Sequence, residues 1–101
     1  MNILNPDAQT AVVTGLRELV AANAAQVRDE IRAALPATTV RLDLDLSALT
    51  FLDSSGLGVL VSLNKTLRSR NGTVRLLRPA ANVQQVLELT RLHRVFEIVI
   101  E

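Results

Sequence analysis

The chain reads as a single α/β domain with a mostly parallel four- to five-stranded sheet and helices mainly on one face. Three observations predict this class. Runs of strand length alternate with stretches of helical periodicity along the 101 residues, which implies right-handed crossovers and parallel pairing. Hydrophobic residues make up 49% of the chain with only two aromatics, Phe51 and Phe96, so the core is built from Leu, Val, Ile and Ala. Finally, residues 40–46 and 96–101 carry charges between apolar positions, which strands covered on both faces would not.

In chain order, Thr10-Ala11-Val12-Val13-Thr14 is the first strand, closed by Gly15. Leu16, Val20, Ala24, Val27, Ile31 and Leu35 then fall on one stripe, which predicts a helix over 16–35 that Pro36 stops. Its back mixes signs, with Arg17, Glu18, Arg28, Asp29, Glu30 and Arg32, as a solvated face does and a membrane-lying one does not. Val40-Arg41-Leu42-Asp43-Leu44-Asp45-Leu46 alternates strictly and is a half-buried strand. Leu57, Leu60, Val61, Asn64 and Leu67 mark a second helix from Ser54 or Ser55 to about Ser69, followed by an Asn71-Gly72 turn. Thr73–Leu77 is a third strand, a third helix opens after Arg78-Pro79 with Val83, Val86, Leu87 and Thr90, and Phe96–Ile100 closes the chain as a strand. The predicted order is β-α-β-α-β-α-β.

Eleven basic and ten acidic residues are interspersed, which argues against nucleic acid as a partner, and the stacking aromatics that single strands require are missing. The chain has no Cys and one His, so disulfides, zinc and thiol chemistry are not expected. Apolar runs such as Val59-Leu60-Val61 are far shorter than the ~18 residues that span a bilayer, and Met1-Asn2-Ile3-Leu4-Asn5-Pro6 does not read as a signal peptide. The expectation is a cytoplasmic domain without metal, cofactor or membrane insertion.

The most informative stretch is Asp53-Ser54-Ser55-Gly56-Leu57-Gly58, which sets two hydroxyls and two glycines between an apolar strand and an apolar helix. The start of a helix exposes N–H groups and a partial charge of roughly +0.5, which favours an added phosphate. The same residue types are also preferred N-caps, and the two roles can coexist if one hydroxyl caps and its neighbour faces water. Capping does not account for the glycines, each of which costs about 0.8–1 kcal/mol against Ala inside a helix. Close packing or a closely docked partner accounts for them.

Other chemistries fit less well. A Ser/His/Asp hydrolase assembled from Ser54 or Ser55, His93 and Asp53 lacks the Gly that a nucleophile elbow places two residues before its Ser. His93 reads more simply as a cation at the end of the third helix, and Asp43 and Asp45 as a solvated strand face rather than an acid/base pair. Gly56-x-Gly58 has Val61 where a dinucleotide loop needs its third Gly, and no phosphate-binding Lys follows.

The run from Leu42-Asp43-Leu44 through Phe51-Leu52-Asp53-Ser54-Ser55-Gly56-Leu57-Gly58-Val59-Leu60 resembles the signature of STAS domains, specifically bacterial anti-sigma factor antagonists. Val74-Arg75-Leu76-Leu77-Arg78-Pro79, Val83, Val86-Leu87-Glu88-Leu89-Thr90 and Val95-Phe96-Glu97-Ile98 resemble that family's last strand-helix-strand segment. The resemblance implies one STAS domain over 1–101 with a shortened N-terminal hairpin, and a switch rather than an enzyme. It makes Ser54 the phosphorylation site and Asp53, Ser54, Ser55, Gly56, Leu57 and Gly58 the partner-binding residues. It implies binding to a GHKL-type serine kinase that is also an anti-sigma factor, ended by phosphorylation and reset by a PP2C-type phosphatase, so that transcription is regulated indirectly. The alternative within the family is a non-switching adaptor in a transport-linked or stressosome-like assembly, where Thr and Gly-Gly tend to follow the Asp. One departure is visible: the family's Gly-Glu-Leu-Asp before the first helix is replaced by Gly15-Leu16-Arg17-Glu18-Leu19-Val20, with Glu18 the only acidic residue available.

Overall fold

The computed structural model describes residues 1–100. Five strands form the main sheet in the order β1-β2-β4-β6-β7, with β1 (Asn2–Asp7) antiparallel to β2 (Thr10–Thr14) and β4 (Arg41–Asp45), β6 (Thr73–Leu77) and β7 (Glu97–Val99) parallel to it. A separate parallel ribbon pairs β3 (Glu18–Leu19) with β5 (Phe51–Leu52). The helices are α1 (Ala24–Ala34), α2 (Ser54–Arg68) and α3 (Ala81–Leu89), with a 3-10 turn at Leu92–Arg94 before β7. This is the mostly parallel sheet that the alternation of periodicities predicts.

Register explains why one face is dry. Ala11 and Val13 of β2 align with Leu42 and Leu44 of β4, which align with Val74 and Leu76 of β6. All six are essentially inaccessible and share one cluster with Val27 and Ile31 of α1, Val59, Leu60, Leu63 and Leu67 of α2, and Val83 and Leu87 of α3. The other side of each strand carries Val12, Asp43, Arg75 and Glu97 on one continuous row, none of which belongs to that cluster. The alternation in residues 40–46 is the sequence trace of that one-sided burial.

Asp43 is not the solvated residue that its alternation suggests. Its side chain is only 5% exposed, because Arg75 spans it with Nε at 2.9 Å and Nη2 at 3.1 Å, and Arg41 lies 3.6 Å away. Arg75 from the neighbouring strand β6 and Arg41 from β4 itself roof the carboxylate and neutralise it, with Arg75 forked across both oxygens. Asp45 is partly covered in the same way, with Arg78 Nη2 2.6 Å from its Oδ2.

Three boundaries differ from the periodicity. The helix expected over 16–35 is α1 at Ala24–Ala34 only, and residues 16–23 are a two-residue strand and a turn. Val20 N–H donates to Asn23 Oδ1 at 2.9 Å and Asn23 Nδ2 donates to the Glu18 carbonyl at 2.9 Å, so Asn23 closes a local turn that competes with helix there. Strand β1 precedes the first expected strand, with Pro6 and Asp7 near its end and a register shift between Leu4 and Asp7. The last strand is Glu97–Val99 rather than 96–100. No described helix is long and apolar enough to cross a membrane.

Candidate functional site

The site is built where the β3-β5 ribbon meets the first turn of α2. Asp53 is the N-cap, in extended conformation, and its Oδ1 accepts the Gly56 N–H at 2.9 Å. Its Oδ2 accepts the Ala21 N–H at 2.9 Å, and its own N–H donates to the Leu19 carbonyl at 3.3 Å. One carboxylate therefore starts a helix and fastens the segment before α1 against it. The Gly56 and Ala21 N–H groups hold the Asp53 carboxyl below the usual 3.8, because they bond only the charged form well.

This assignment corrects the expectation that one of the serines caps. The cap is an anion, and both Ser54 and Ser55 are exposed in the first turn of α2. Phosphate would be received differently as a result. Asp53 already holds the Gly56 N–H, so a phosphate on Ser54 would share the positive end of α2 with a neighbouring carboxylate instead of entering an empty anion cradle.

The two glycines play different parts. Gly56 is buried, and a Cβ there would stand 2.0 Å from the Leu19 carbonyl oxygen and 2.8 Å from Leu52 Cδ1. Its missing side chain lets α2 touch the ribbon backbone, so the demand for Gly is internal rather than set by an incoming partner. Gly58 is exposed, and a Cβ there would meet no atom within 4 Å, which leaves open space above the first turn. Leu57, between them, is half-buried and packs on the core.

His93 lies in the 3-10 turn with Nδ1 3.4 Å from the Leu87 carbonyl, close to the end of α3, as its reading as a helix-end group implies. Ser54 and Ser55 have no side-chain hydrogen bond to it or to Asp53. The hydrolase constellation is not brought together.

Sequence reasoning missed the N-terminal half of the site. Arg17 and Leu19 offer carbonyls to Thr50 and Asp53, and Glu18 and Phe51 stand side by side in the ribbon register. Glu18-Leu19 is the strand, and Val20 follows it at the start of the turn that leads to α1. Phe51 is 65% exposed.

Acid should loosen this region. Asp53 and Asp7 are depressed by backbone N–H donors; for Asp45, burial opposes the shift but the Ser47 groups and the Arg78 guanidinium prevail. Carboxyls depressed in the fold stabilise it fully above their unfolded values and lose that contribution as pH falls through their folded values. The melting temperature is therefore expected to be level from pH 7 to about 5 and to drop steeply below about 4. Asp53→Asn keeps one acceptor and loses the charge, and should melt lower at pH 7 with a shallower acid slope; an unchanged slope would show that Asp53 carries none of it.

Known proteins share this fold. A candidate anti-sigma factor antagonist of Thermotoga maritima is 38% identical over 58 residues, 57% of this chain and 51% of that protein, so the chain aligns with about half of its relative's length. The crystal structure of a candidate anti-sigma factor antagonist from Thermotoga maritima, TM1081, superposes with a TM-score of 0.85 at 26% identity, covering 97% of this chain and 84% of that one. The anti-sigma factor antagonist SpoIIAA in its unphosphorylated form superposes at 0.84 with 24% identity over 99% and 88% of the two chains. Its phosphorylated form from Bacillus superposes at 0.75 with 23% identity over 99% and 91%. At those identities SpoIIAA shows the shared fold. The family model of the STAS domain matches residues 6–100, and the chain belongs to the STAS domain family.

Proposed function

We propose that this domain is an anti-sigma factor antagonist whose binding to a GHKL-type serine kinase, itself an anti-sigma factor, is ended by phosphorylation of Ser54. The observation that carries the reading is the exposed hydroxyl pair at the start of α2, freed from capping because Asp53 caps. A hydroxyl without an internal duty at a helix start is available to a kinase. Support comes from the Thermotoga maritima relative named as a candidate anti-sigma factor antagonist and from SpoIIAA, a protein of the same fold known in unphosphorylated and phosphorylated forms.

In this reading the chain does no chemistry. It presents Asp53, Ser54, Ser55, Leu57 and Gly58 to the kinase, competes for it with the sigma factor, and is dismissed when the phosphate arrives. A PP2C-type phosphatase returns it to the binding state. All of this takes place in the cytoplasm, and Gly56 contributes by seating α2 rather than by contact.

Incubation with the kinase and ATP, read by mass spectrometry, tests the acceptor. Ser54→Ala is expected to abolish labelling and Ser55→Ala to leave it intact. Undiminished labelling of the Ser54→Ala chain on Ser55 would transfer the assignment to the second serine.

A further inference from the structure

Phe51 is an exposed aromatic on a backbone that is bonded on both sides. Its backbone is fixed on every side: Glu18 pairs with it in the ribbon, Thr50 N–H donates to the Arg17 carbonyl at 2.9 Å, Asn82 Nδ2 reaches the Thr50 carbonyl at 3.4 Å, and Asp53 N–H bonds Leu19. Leu52 turns inward and packs on the core, so the strand alternation turns Phe51 outward, on the same side as Asp53 two residues on. The other aromatic, Phe96, is buried. A rigid backbone that keeps an aromatic ring 65% exposed loses little entropy when the ring is covered, which is the property of an interface anchor.

The charged residue paired with the ring in the ribbon is acidic. Residues 18–27 and 50–64, which supply the ribbon, the following turn and the first turns of α2, contain Glu18 and Asp53 and no Lys or Arg, while the exposed Arg17 alternates with Glu18 and so belongs to the other side of the strand. Glu18 is exposed beside Phe51, while both Asp53 oxygens are engaged by backbone N–H groups and remain anionic. A face that complements this surface has an apolar pocket with a basic side chain at its rim.

We infer that Phe51, with Glu18 beside it, is the anchor by which this domain engages its serine kinase, entering an apolar pocket bordered by a Lys or Arg on the kinase. The inference rests on the proposed function and adds to it the residue that supplies the binding energy and the chemistry of the surface that receives it. It also separates two roles on adjacent residues: Phe51 holds the partner, and Ser54 decides whether it stays.

The test uses the purified kinase that labels the wild-type chain. Phe51→Ala is expected to weaken its binding roughly 10- to 100-fold by calorimetry, with Phe51→Leu in between, because a buried aromatic anchor has effects of that size. Both variants should melt within a few degrees of wild type. Glu18→Lys should slow association and flatten its dependence on salt. Wild-type affinity in Phe51→Ala, with Ser54 still labelled, would overturn the anchor and leave the proposed function standing. A wild-type chain that no such kinase binds or labels would overturn both. If Phe51→Ala instead dissolves a self-associated form seen by sedimentation while kinase binding is unchanged, the ring serves a second copy of this chain and the inference fails.

Discussion

Gly56→Ala is expected to lower stability by about 3 kcal/mol or more, although it adds one methyl group to a helix. Overpacking a well-filled site costs typically about 1–3 kcal/mol, and here the obstacle is backbone rather than a side chain that can rotate away. The new Cβ would stand 2.0 Å from the Leu19 carbonyl oxygen, so either α2 must lift or the β3-β5 ribbon must move. Either movement stretches the Asp53 contacts to Gly56 and Ala21. In a domain of about this size each kcal/mol shifts the melting temperature by roughly 4–8 °C, so a fall on the order of 12–24 °C is expected. Gly58→Ala supplies the internal control. Nothing lies within 4 Å of its added methyl, so the ordinary helix preference for Ala should raise stability by about 0.8–1 kcal/mol. Thermal and urea melts of the two variants check the pair, and a Gly56→Ala chain that melts with wild type would contradict the close contact.

The parts of this architecture that were legible in the sequence are those whose periodicity and burial agree. Leu42 and Leu44, or Val27 and Ile31, repeat at the spacing of their element and all face the same core. The ribbon was not legible because its two strands have two residues each and exist only as partners, with Thr50 bonded to a carbonyl 33 positions earlier in the chain. Of the expected stripe, Leu16 is buried but reaches the core from outside the helix, Val20 is only half-buried, and Leu19, which the stripe left out, is buried from β3. Only the Asn23 side chain, by bonding Val20 and Glu18, betrays that the helix starts later. Strand β1 hid for a different reason: Asn2, Asn5, Pro6 and Asp7 are poor strand formers, and the strand is held by the hairpin with β2 rather than by its own preference. At the site, Asp53-Ser54-Ser55-Gly56 signalled a helix start correctly, yet the division of labour was invisible. Which residue caps, and whether Gly56 serves the core or a partner, depends on where Leu19 and Ala21 lie.

Phosphorylation of Ser54 is expected to weaken kinase binding roughly 30- to 150-fold, the equivalent of about 2–3 kcal/mol, while the fold persists. The phosphate brings about −1.5 to −2 charges next to a carboxylate that is already anionic and already holds a helix N–H. A partner pressed on the first turn of α2 would have to desolvate both anions, and α2 itself carries no cation before Lys65 to offset them. Because Asp53 occupies the Gly56 N–H, the phosphate gains less from the helix terminus than it would at an empty one, and like-charge repulsion strains the Asp53 contact to Ala21. The modified chain should therefore melt slightly below the unmodified one rather than above it. Ser54→Asp, with one charge instead of about two, should reproduce only part of the loss in affinity. Calorimetric titration of unmodified, phosphorylated and Ser54→Asp chains into the kinase, with melting curves on the same samples, checks each step. Equal affinities for the phosphorylated and unmodified forms would remove the switch and favour a passive adaptor. A phosphorylated chain that melts well above the unmodified one would show instead that the start of α2 welcomes the phosphate despite Asp53, and that release of the partner comes from bulk rather than from charge.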